Sequence, residues 1–363
     1  MTTTPQTLPP PVVDPTTAYR DELDEDLVCV GVERVTHDVA SFTLRPSGGS
    51  RLRFRPGQYL TLTVPVGLEE LSRCYTISSS PLRADSFTVT VKRVPDGPVS
   101  NWLHDHLRPG VTVRASGPLG VFSTDHHPAG KYLFLSAGSG ITPLMSMTRT
   151  LHGCGSPADI AFVHSARTPE DIIFRDELAH LDACSPTVRV TLVCEEDAGH
   201  DWPGLRGRLT LEALLGAVPD VAEREVFTCG PPGYREAVRT LLAEAGVEPA
   251  RCHEESYDLG EGTQGELPAV SQDPTVRTHV VELARTGRSL DCPEGMSVLE
   301  AAARAGLQLP SSCAEGVCGT CKSDLVSGSV DMDHAGGIRP REIADGKILL
   351  CCSTPREALV IDA

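Results

Sequence analysis

The stretch LPSSCAEGVCGTCK (309–322) spaces its cysteines as Cys313-x4-Cys318-x2-Cys321, and GKILLCCSTP (346–355) brings Cys351 and Cys352 about 30 residues later. That is the spacing by which four thiolates hold a [2Fe–2S] cluster. The residues between them are small (Ser311, Ser312, Ala314, Gly316, Gly319, Thr320), so the loop can wrap closely and aim backbone N–H groups at the sulfurs. Cys351 and Cys352 compete for the fourth place. Read as part of a strand they face opposite sides, so only one is a ligand. Four thiolates also suit structural zinc, but zinc sites usually pair two C-x2–4-C knuckles and one is present here. A redox-active Cys318-x2-Cys321 would need a surrounding strand–helix unit, which this segment lacks.

Outward from this loop, the segment from Thr275 reads as a hairpin (RTHVVELARTGRSLDCP, 277–293, turning at Thr286–Gly287) and a helix (SVLEAAARAG, 297–306) capped by Ser297 and stopped by Gly306. Two late strands follow the cysteines. Upstream lies DLGEGTQGELPAVSQDP (258–274), a linker in an acidic stretch: residues 251–274 hold six acidic residues against one basic. From Leu27 to about Thr124, short β-rich runs such as SFTLRP, YLTLTVPV and SFTVTVKRV alternate with Gly, Pro and Asp turns, the pattern of an antiparallel β-barrel. One helix, SNWLHDHL (100–107), interrupts them. From Lys131 apolar strands alternate with helices (YLFLSAG, TPLMSMTRTLHG; DIAFVHSA, EDIIFRDELAHL; EVFTCG, GYREAVRTLLAEAG), which means an α/β, doubly wound parallel sheet. The expected organisation is a disordered start (1–20), a β-barrel domain (21–126), an α/β domain (127–257), the linker (258–274) and a cluster domain (275–363).

Composition narrows the function. A formal charge of −17 with no clustered Lys/Arg stripe argues against nucleic acid and disfavours an acidic partner surface. No run approaches the roughly 20 apolar residues of a membrane span, and the start, MTTTPQTLPPPVVDPTT, has neither a basic opening nor an apolar h-region. The 13 cysteines are an odd number, mostly scattered, unlike a secreted disulfide framework. A cytoplasmic protein with no membrane association is expected.

Three further motifs carry chemistry. In LSRCYTISSSP (71–81), Arg73 and Tyr75 share one strand face and Thr76 takes the other, so a cation and a stacking ring are held together. In TVKRVPDGPVSNWL (90–103), Gly97 and Ser100 stand where a helix begins, a place suited to phosphate. SAGSGITP (136–143) ends the first α/β strand: Gly138 and Gly140 let backbone approach a pyrophosphate, with Thr142 as cap and Pro143 in the first helical turn. In FTCGPPGY, Cys229 sits at the carboxyl end of a strand, where such sheets bind ligands. In HSARTPEDIIFRDEL no acidic residue closes the strand, and Arg167 can meet either a 2′-phosphate or the pyrophosphate. His104, His106, His126, His127 and His334 are expected at the surface, because no cysteine or carboxylate recurs with them at a metal-site spacing.

Residues 27–257 resemble the ferredoxin–NADP reductase superfamily through R-x-Y-[ST], the following G-x-x-S turn, G-P-x-G-x-F (Gly117, Pro118, Gly120, Phe122) and G-x-G-[IV]-[TA]-P. The resemblance implies that Tyr75 stacks on the isoalloxazine, Thr76 hydrogen-bonds near N5 and Arg73 binds phosphate. It implies backbone contacts from Gly97, Val99 and Ser100, with Ser78, Ser79, Val91 and Lys92 beside the cofactor. Cys229, Gly230 and Pro231 would meet the nicotinamide, and Tyr257 of HEESY would cover the flavin face. FAD is favoured over FMN, and NADH over NADPH. Residues 275–363 resemble plant-type ferredoxins, which implies a β-grasp ferredoxin domain. There a glycine lies five residues before the last ligand and a proline four after; Gly346 and Pro355 match, placing the ligands at Cys313, Cys318, Cys321 and Cys351.

The whole chain resembles the reductase components of two-component oxygenases, particularly those of glycine betaine and related quaternary-amine monooxygenases, in AGSGITPLMSMTR, ARTPEDIIFRDEL and HEESY. This implies a monomeric NAD(P)H-dependent enzyme that takes a hydride onto FAD and passes single electrons through the [2Fe–2S] cluster to a separate terminal oxygenase, Rieske-type and acting on a small quaternary amine. The alternative acceptors are a cytochrome P450, a di-iron hydroxylase or a hybrid-cluster protein. A redox-sensing interaction protein is the alternative of a different class.

Overall fold

The computed structural model describes residues 19–82, 85–197, 199, 202–256, 277–307, 309, 316–317 and 319–363. The start of the chain up to residue 18, Tyr257, the acidic linker 258–274, Cys313 and Cys318 lie outside the described residues. Contacts divide the chain into two units, Met1–Tyr257 and Asp258–Ala363.

In the first unit the β-rich runs form a six-stranded antiparallel sheet in the order Glu69–Thr76, Tyr59–Val66, Thr112–Leu119, Leu23–Arg34, Val39–Pro46, Phe87–Lys92. The sheet curls into a half-barrel whose edges meet at a bridge between Ile77 and Val89. Phe42, Leu44, Leu60, Leu62 and Val89 fill it, as the two-residue period of a strand with one buried face demands. The helix Pro98–His106 adds Val99 and Leu103 to that core. It starts two residues ahead of the expected SNWLHDHL because the fixed φ of Pro98 suits the first helical position, with Gly97 as cap.

The runs after Lys131 form a parallel sheet in the order Leu205–Arg206, Val188–Cys194, Asp159–Ala166, Lys131–Ala137, Glu225–Cys229, Cys252–Glu255. Both faces are covered. Phe134, Phe162 and Phe227 pack with residues of the helices Ile141–Gly153 and Arg175–Cys184, whereas Leu135, Val163 and Val226 pack with those of Leu211–Ala217 and Pro232–Glu244. Successive strand residues therefore serve opposite cores, which is why these strands read as unbroken apolar runs.

The second unit is a mixed five-stranded sheet in the order Arg288–Pro293, Thr278–Leu283, Leu359–Asp362, Lys322–Ser327, Lys347–Leu349. Thr278–Leu283 and Leu359–Asp362, its first and last strands along the chain, pair in parallel, and the helix Val298–Arg304, capped by the Ser297 hydroxyl on the Glu300 N–H, covers one face. The adjacent cysteines are not on a strand: Leu350–Cys352 is a single 3-10 turn between Lys347–Leu349 and Ser353–Pro355. The apolar run KILLCC reads as a strand, but it changes sheets: the ladder with Lys322–Ser327 ends where Leu350 N–H donates to the Cys321 carbonyl (3.2 Å), and the ladder of Val330–Met332 with Ser353–Pro355 begins where the Cys352 carbonyl accepts from Asp333 N–H (3.1 Å). Among the described residues no helix is long and apolar enough to cross a membrane.

Arg224 closes the amino end of the parallel sheet and is fully buried. Its Nε and Nη2 donate to Asp220 (2.8 and 3.0 Å), Nη2 also to Asp159 (2.7 Å), and Nη1 to the carbonyls of Tyr132 and Asp159 (3.0 and 3.2 Å). All five donors are used. The Arg224 bonds, with help from Lys131, hold the Asp220 carboxyl down at about 2, below its ordinary 3.8. A carboxyl with a depressed folded pKa stabilises the fold above its ordinary range and loses that contribution as pH falls toward the folded value. Arg224→Met should lower stability by about 3 kcal/mol in urea unfolding followed by Trp102 and Trp202 fluorescence, because two carboxylates lose their shared partner. The wild-type urea midpoint should fall between pH 3.8 and about 2, and Arg224→Met should flatten that dependence.

Candidate functional site

On the strand Glu69–Thr76, Cys74 and Thr76 point inward while Arg73 and Tyr75 share the outer, half-buried face. Burial pushes the Tyr75 phenol well above its usual range, so the ring stays neutral and suited to stacking. Arg73 Nη1 donates to the Ser72 carbonyl (2.8 Å), bending the guanidinium back along the strand. Beyond Thr76, Ser78 turns inward: its hydroxyl donates to the Thr88 carbonyl (3.1 Å) and lies 2.8 Å from Thr90 Oγ1, so its side chain belongs to the sheet. Ser79 Oγ accepts the Thr88 N–H (2.9 Å).

Val91 is a core residue, and its carbonyl accepts from His104 Nε2 (3.0 Å). His104 is therefore not the surface residue expected; burial lowers its pKa and the carbonyl fixes the proton on Nε2. Lys92 carries a partner that the sequence does not announce. Its ammonium is paired with Asp38 at 3.2 Å, so a cofactor phosphate would have to share it. At the helix start, a Cβ on Gly97 would lie 2.8 Å from Ser100 Oγ, which itself donates to the Gly97 carbonyl (3.1 Å) and accepts Val94 N–H (3.2 Å). The side chain of Val99 is in the core, so what Val99 and Ser100 offer a phosphate is backbone N–H.

The nucleotide turn Gly138–Gly140 runs directly into the helix Ile141–Gly153. Gly138 has φ +53°, a conformation that favours glycine. A Cβ on Gly140 would lie 2.3 Å from the Cys229 carbonyl oxygen and 2.7 Å from Gly230 N, so the G-x-G and C-G-P turns touch through backbone alone. Thr142 is not the cap: Gly140 takes that place, and the Thr142 hydroxyl donates back to the Ser139 carbonyl (3.0 Å) while Pro143 lies buried in the first turn. The Cys229 thiol is buried in the sheet core, so the backbone of Cys229 and Gly230 and the exposed Pro231 face the turn region. Arg235 Nε holds the Gly230 carbonyl (3.1 Å). Arg167 is exposed at the end of its strand.

Sequence reasoning missed two features. Ser136 Oγ and His164 Nδ1 lie 2.8 Å apart, both fully buried, and burial drives the imidazole down to about 3. The helix Ile141–Gly153 also reaches the tail of the flavin strand through Ser146, Arg149 and Thr150. A polar set at i, i+3 and i+4 on an otherwise apolar helix was the available signal. His127, expected at the surface, stacks on His253 with ring centroids 3.6 Å apart, and His253 Nε2 lies 2.6 Å from Glu225.

In the second unit Gly316 N–H donates to Cys351 Sγ (3.2 Å), while the Cys352 thiol reaches the Leu349 carbonyl (3.8 Å). The Cys351 sulfur is thus placed to accept backbone N–H, as cluster sulfurs do, and lies in the same core as the buried Cys321. The segment 333–337 clasps the cysteine loop: Gly337 and Ala335 N–H groups donate to the Gly316 carbonyl (2.9 and 3.2 Å). A Cβ on Gly319 would meet the Gly337 carbonyl at 2.8 Å. Donor set and cradle fit an iron–sulfur cluster.

Comparison with known proteins agrees. Three family models match: the oxidoreductase FAD-binding domain at residues 26–124, the oxidoreductase NAD-binding domain at 134–240, and the 2Fe-2S iron-sulfur cluster binding domain at 281–356. The glycine betaine monooxygenase reductase subunit of Chromohalobacter salexigens is 42% identical over 348 residues, 92% of this chain and 94% of the relative. The stachydrine N-demethylase reductase subunit of Rhizobium meliloti is 39% identical over 342 residues, 93% and 96% of the two chains. Phthalate dioxygenase reductase, described as a modular structure for electron transfer from pyridine nucleotides to [2Fe–2S], superposes with a TM-score of 0.57 at 26% identity, covering 94% of this chain and 98% of that one. Fold and domains define an NADH-dependent electron-transfer flavoprotein with FAD and a [2Fe–2S] cluster. Within that class, the chain belongs to the family of glycine betaine monooxygenase reductase subunits.

Gly140→Ala should slow reduction of the flavin by NADH by about 10- to 100-fold in rapid mixing, since the methyl group must push the two turns apart. Cys351→Ser should abolish the visible absorbance of the cluster, and Cys352→Ser should retain it.

Proposed function

We propose that this chain carries electrons from NADH to a separate terminal oxygenase, a Rieske-type monooxygenase acting on a small quaternary amine. The end-to-end similarity to a glycine betaine monooxygenase reductase subunit carries this reading, because it spans the flavin, nucleotide and cluster regions together. When bound, FAD accepts a hydride from NADH and gives up its electrons singly to the [2Fe–2S] cluster.

The protein's own residues supply position rather than proton transfer. Tyr75 offers a neutral ring for stacking, Thr76 a hydroxyl near the reactive edge, and Arg73 with the N–H groups of Val99 and Ser100 charge for phosphate. The touching Gly138–Gly140 and Cys229–Gly230 backbones, with Pro231 beside them, are assigned to the nicotinamide, and Tyr257 is assigned the role of covering the flavin. Cys313, Cys318, Cys321 and Cys351 hold the cluster. Residues 21–126, 127–257 and 275–363 are the three functional domains, and 258–274 is their tether.

Purified holoenzyme mixed with a Rieske-type glycine betaine monooxygenase should oxidise NADH rapidly only when both the oxygenase and glycine betaine are present. Rapid reduction of cytochrome c without turnover of any such oxygenase would overturn the choice of partner. Failure of NADH to reduce any acceptor would overturn the reductase reading as a whole.

A further inference from the structure

The helix Ile141–Gly153 has two ends with different tasks. Its N-terminus continues the Gly138–Gly140 turn that lies against Cys229. Its second half grips Ser78–Ser80, the residues that follow Thr76 on the flavin strand. Ser146 Oγ donates to the Ser79 carbonyl (2.8 Å), Arg149 Nη1 to the Ser78 carbonyl (2.6 Å), and Thr150 Oγ1 lies 3.1 Å from Ser80 Oγ. Arg149 is itself fixed from a third side. Nε and Nη2 donate to the two carboxylate oxygens of Glu177 (2.7 and 2.5 Å), and the guanidinium lies over the Phe174 ring at 4.4 Å.

We propose that Arg149, supported by Ser146 and Thr150, is a positioning residue that sets the distance between nicotinamide and flavin. The proposal rests on the reading of the two turns and the strand given above, and it acts through Ser78 and Glu177. Ser78 is two residues beyond Thr76. From Arg149 the helix runs back about 12 Å to the nucleotide turn at 1.5 Å per residue. Flavin strand, Ser78 carbonyl, Arg149, helix and Gly140 turn form one rigid link between hydride acceptor and hydride donor. Arginine suits the joint because its rigid planar fork bonds a carboxylate in two places and reaches a carbonyl from a third nitrogen, whereas lysine's three donors share one nitrogen on a flexible stem. Hydride transfer demands close approach of the reacting atoms, so slack of an ångström in this link costs rate rather than affinity.

The test uses holoenzyme with Arg149→Ala, Arg149→Lys and Ser146→Ala, measured by rapid mixing with NADH and by titration with a reduced nicotinamide analogue that cannot give up hydride. For Arg149→Ala the flavin reduction rate should fall about 10- to 100-fold while NADH affinity stays within about threefold. The long-wavelength charge-transfer absorbance of the analogue complex should weaken in parallel. Arg149→Lys should fall between wild type and alanine, and Ser146→Ala should move the same way by less. An Arg149→Ala enzyme with unchanged rate and unchanged absorbance overturns the proposal, as does a rate loss explained wholly by weaker NADH or FAD binding. Should Arg149→Ala fail to fold, Ser146→Ala and Thr150→Val decide: they must slow transfer without weakening binding, and no change in either overturns it. A wild-type flavin that NADH does not reduce would instead overturn the reductase function.

Discussion

The cofactor regions of this chain depend on backbone segments approaching each other more closely than a methyl group allows. Gly140 lies against the carbonyl of Cys229, and Gly316, Gly319 and Gly337 bring the 333–337 segment onto the cysteine loop. In both places, side chains would hold the segments apart and leave N–H groups aimed at nothing. What glycine supplies is contact between main chains, whose fixed N–H groups suit a pyrophosphate in one case and sulfur in the other.

Such contacts need stiff supports. The parallel sheet provides one, with two apolar cores packed against its faces and Arg224 tying its amino end through five hydrogen bonds. Ligand-facing turns lie at the opposite, carboxyl end, where strand ends are free to carry them. Neutral buried groups accompany them: Tyr75 and His164 are both held uncharged by burial.

Strand periodicity made the Arg73, Tyr75 and Thr76 faces legible in the sequence, and strand–helix alternation made the parallel sheet legible, because both are local patterns. The glycine turns were also readable as close-approach signals. What could not be read were partners set by tertiary packing. Nothing near Lys92 in the sequence announces Asp38, which arrives from the turn before Val39–Pro46. KILLCC reads as a strand, yet its start pairs with Lys322–Ser327 and the residues after it with Val330–Met332, and the Leu350–Cys352 turn makes the change of sheet. Thr142 looked like a cap because the sequence does not show that Gly138–Gly140 winds straight into the helix and takes the capping place. The reach of Ser146, Arg149 and Thr150 to Ser78–Ser80 links distant segments and was equally hidden.

The strand order of the cluster-bearing unit also governs when that unit can be completed. Leu359–Asp362 is an interior strand, lying between Thr278–Leu283 and Lys322–Ser327. During synthesis from the N-terminus, the outer strands are made first and wait for the central one. The flavin and nucleotide sheets contain only earlier residues and can close while this unit is still open. Its first hairpin must close a long loop onto the last strand, a slow, non-local step. Of the three large sheets, the one in the cluster-bearing unit is therefore the last whose strands are all made.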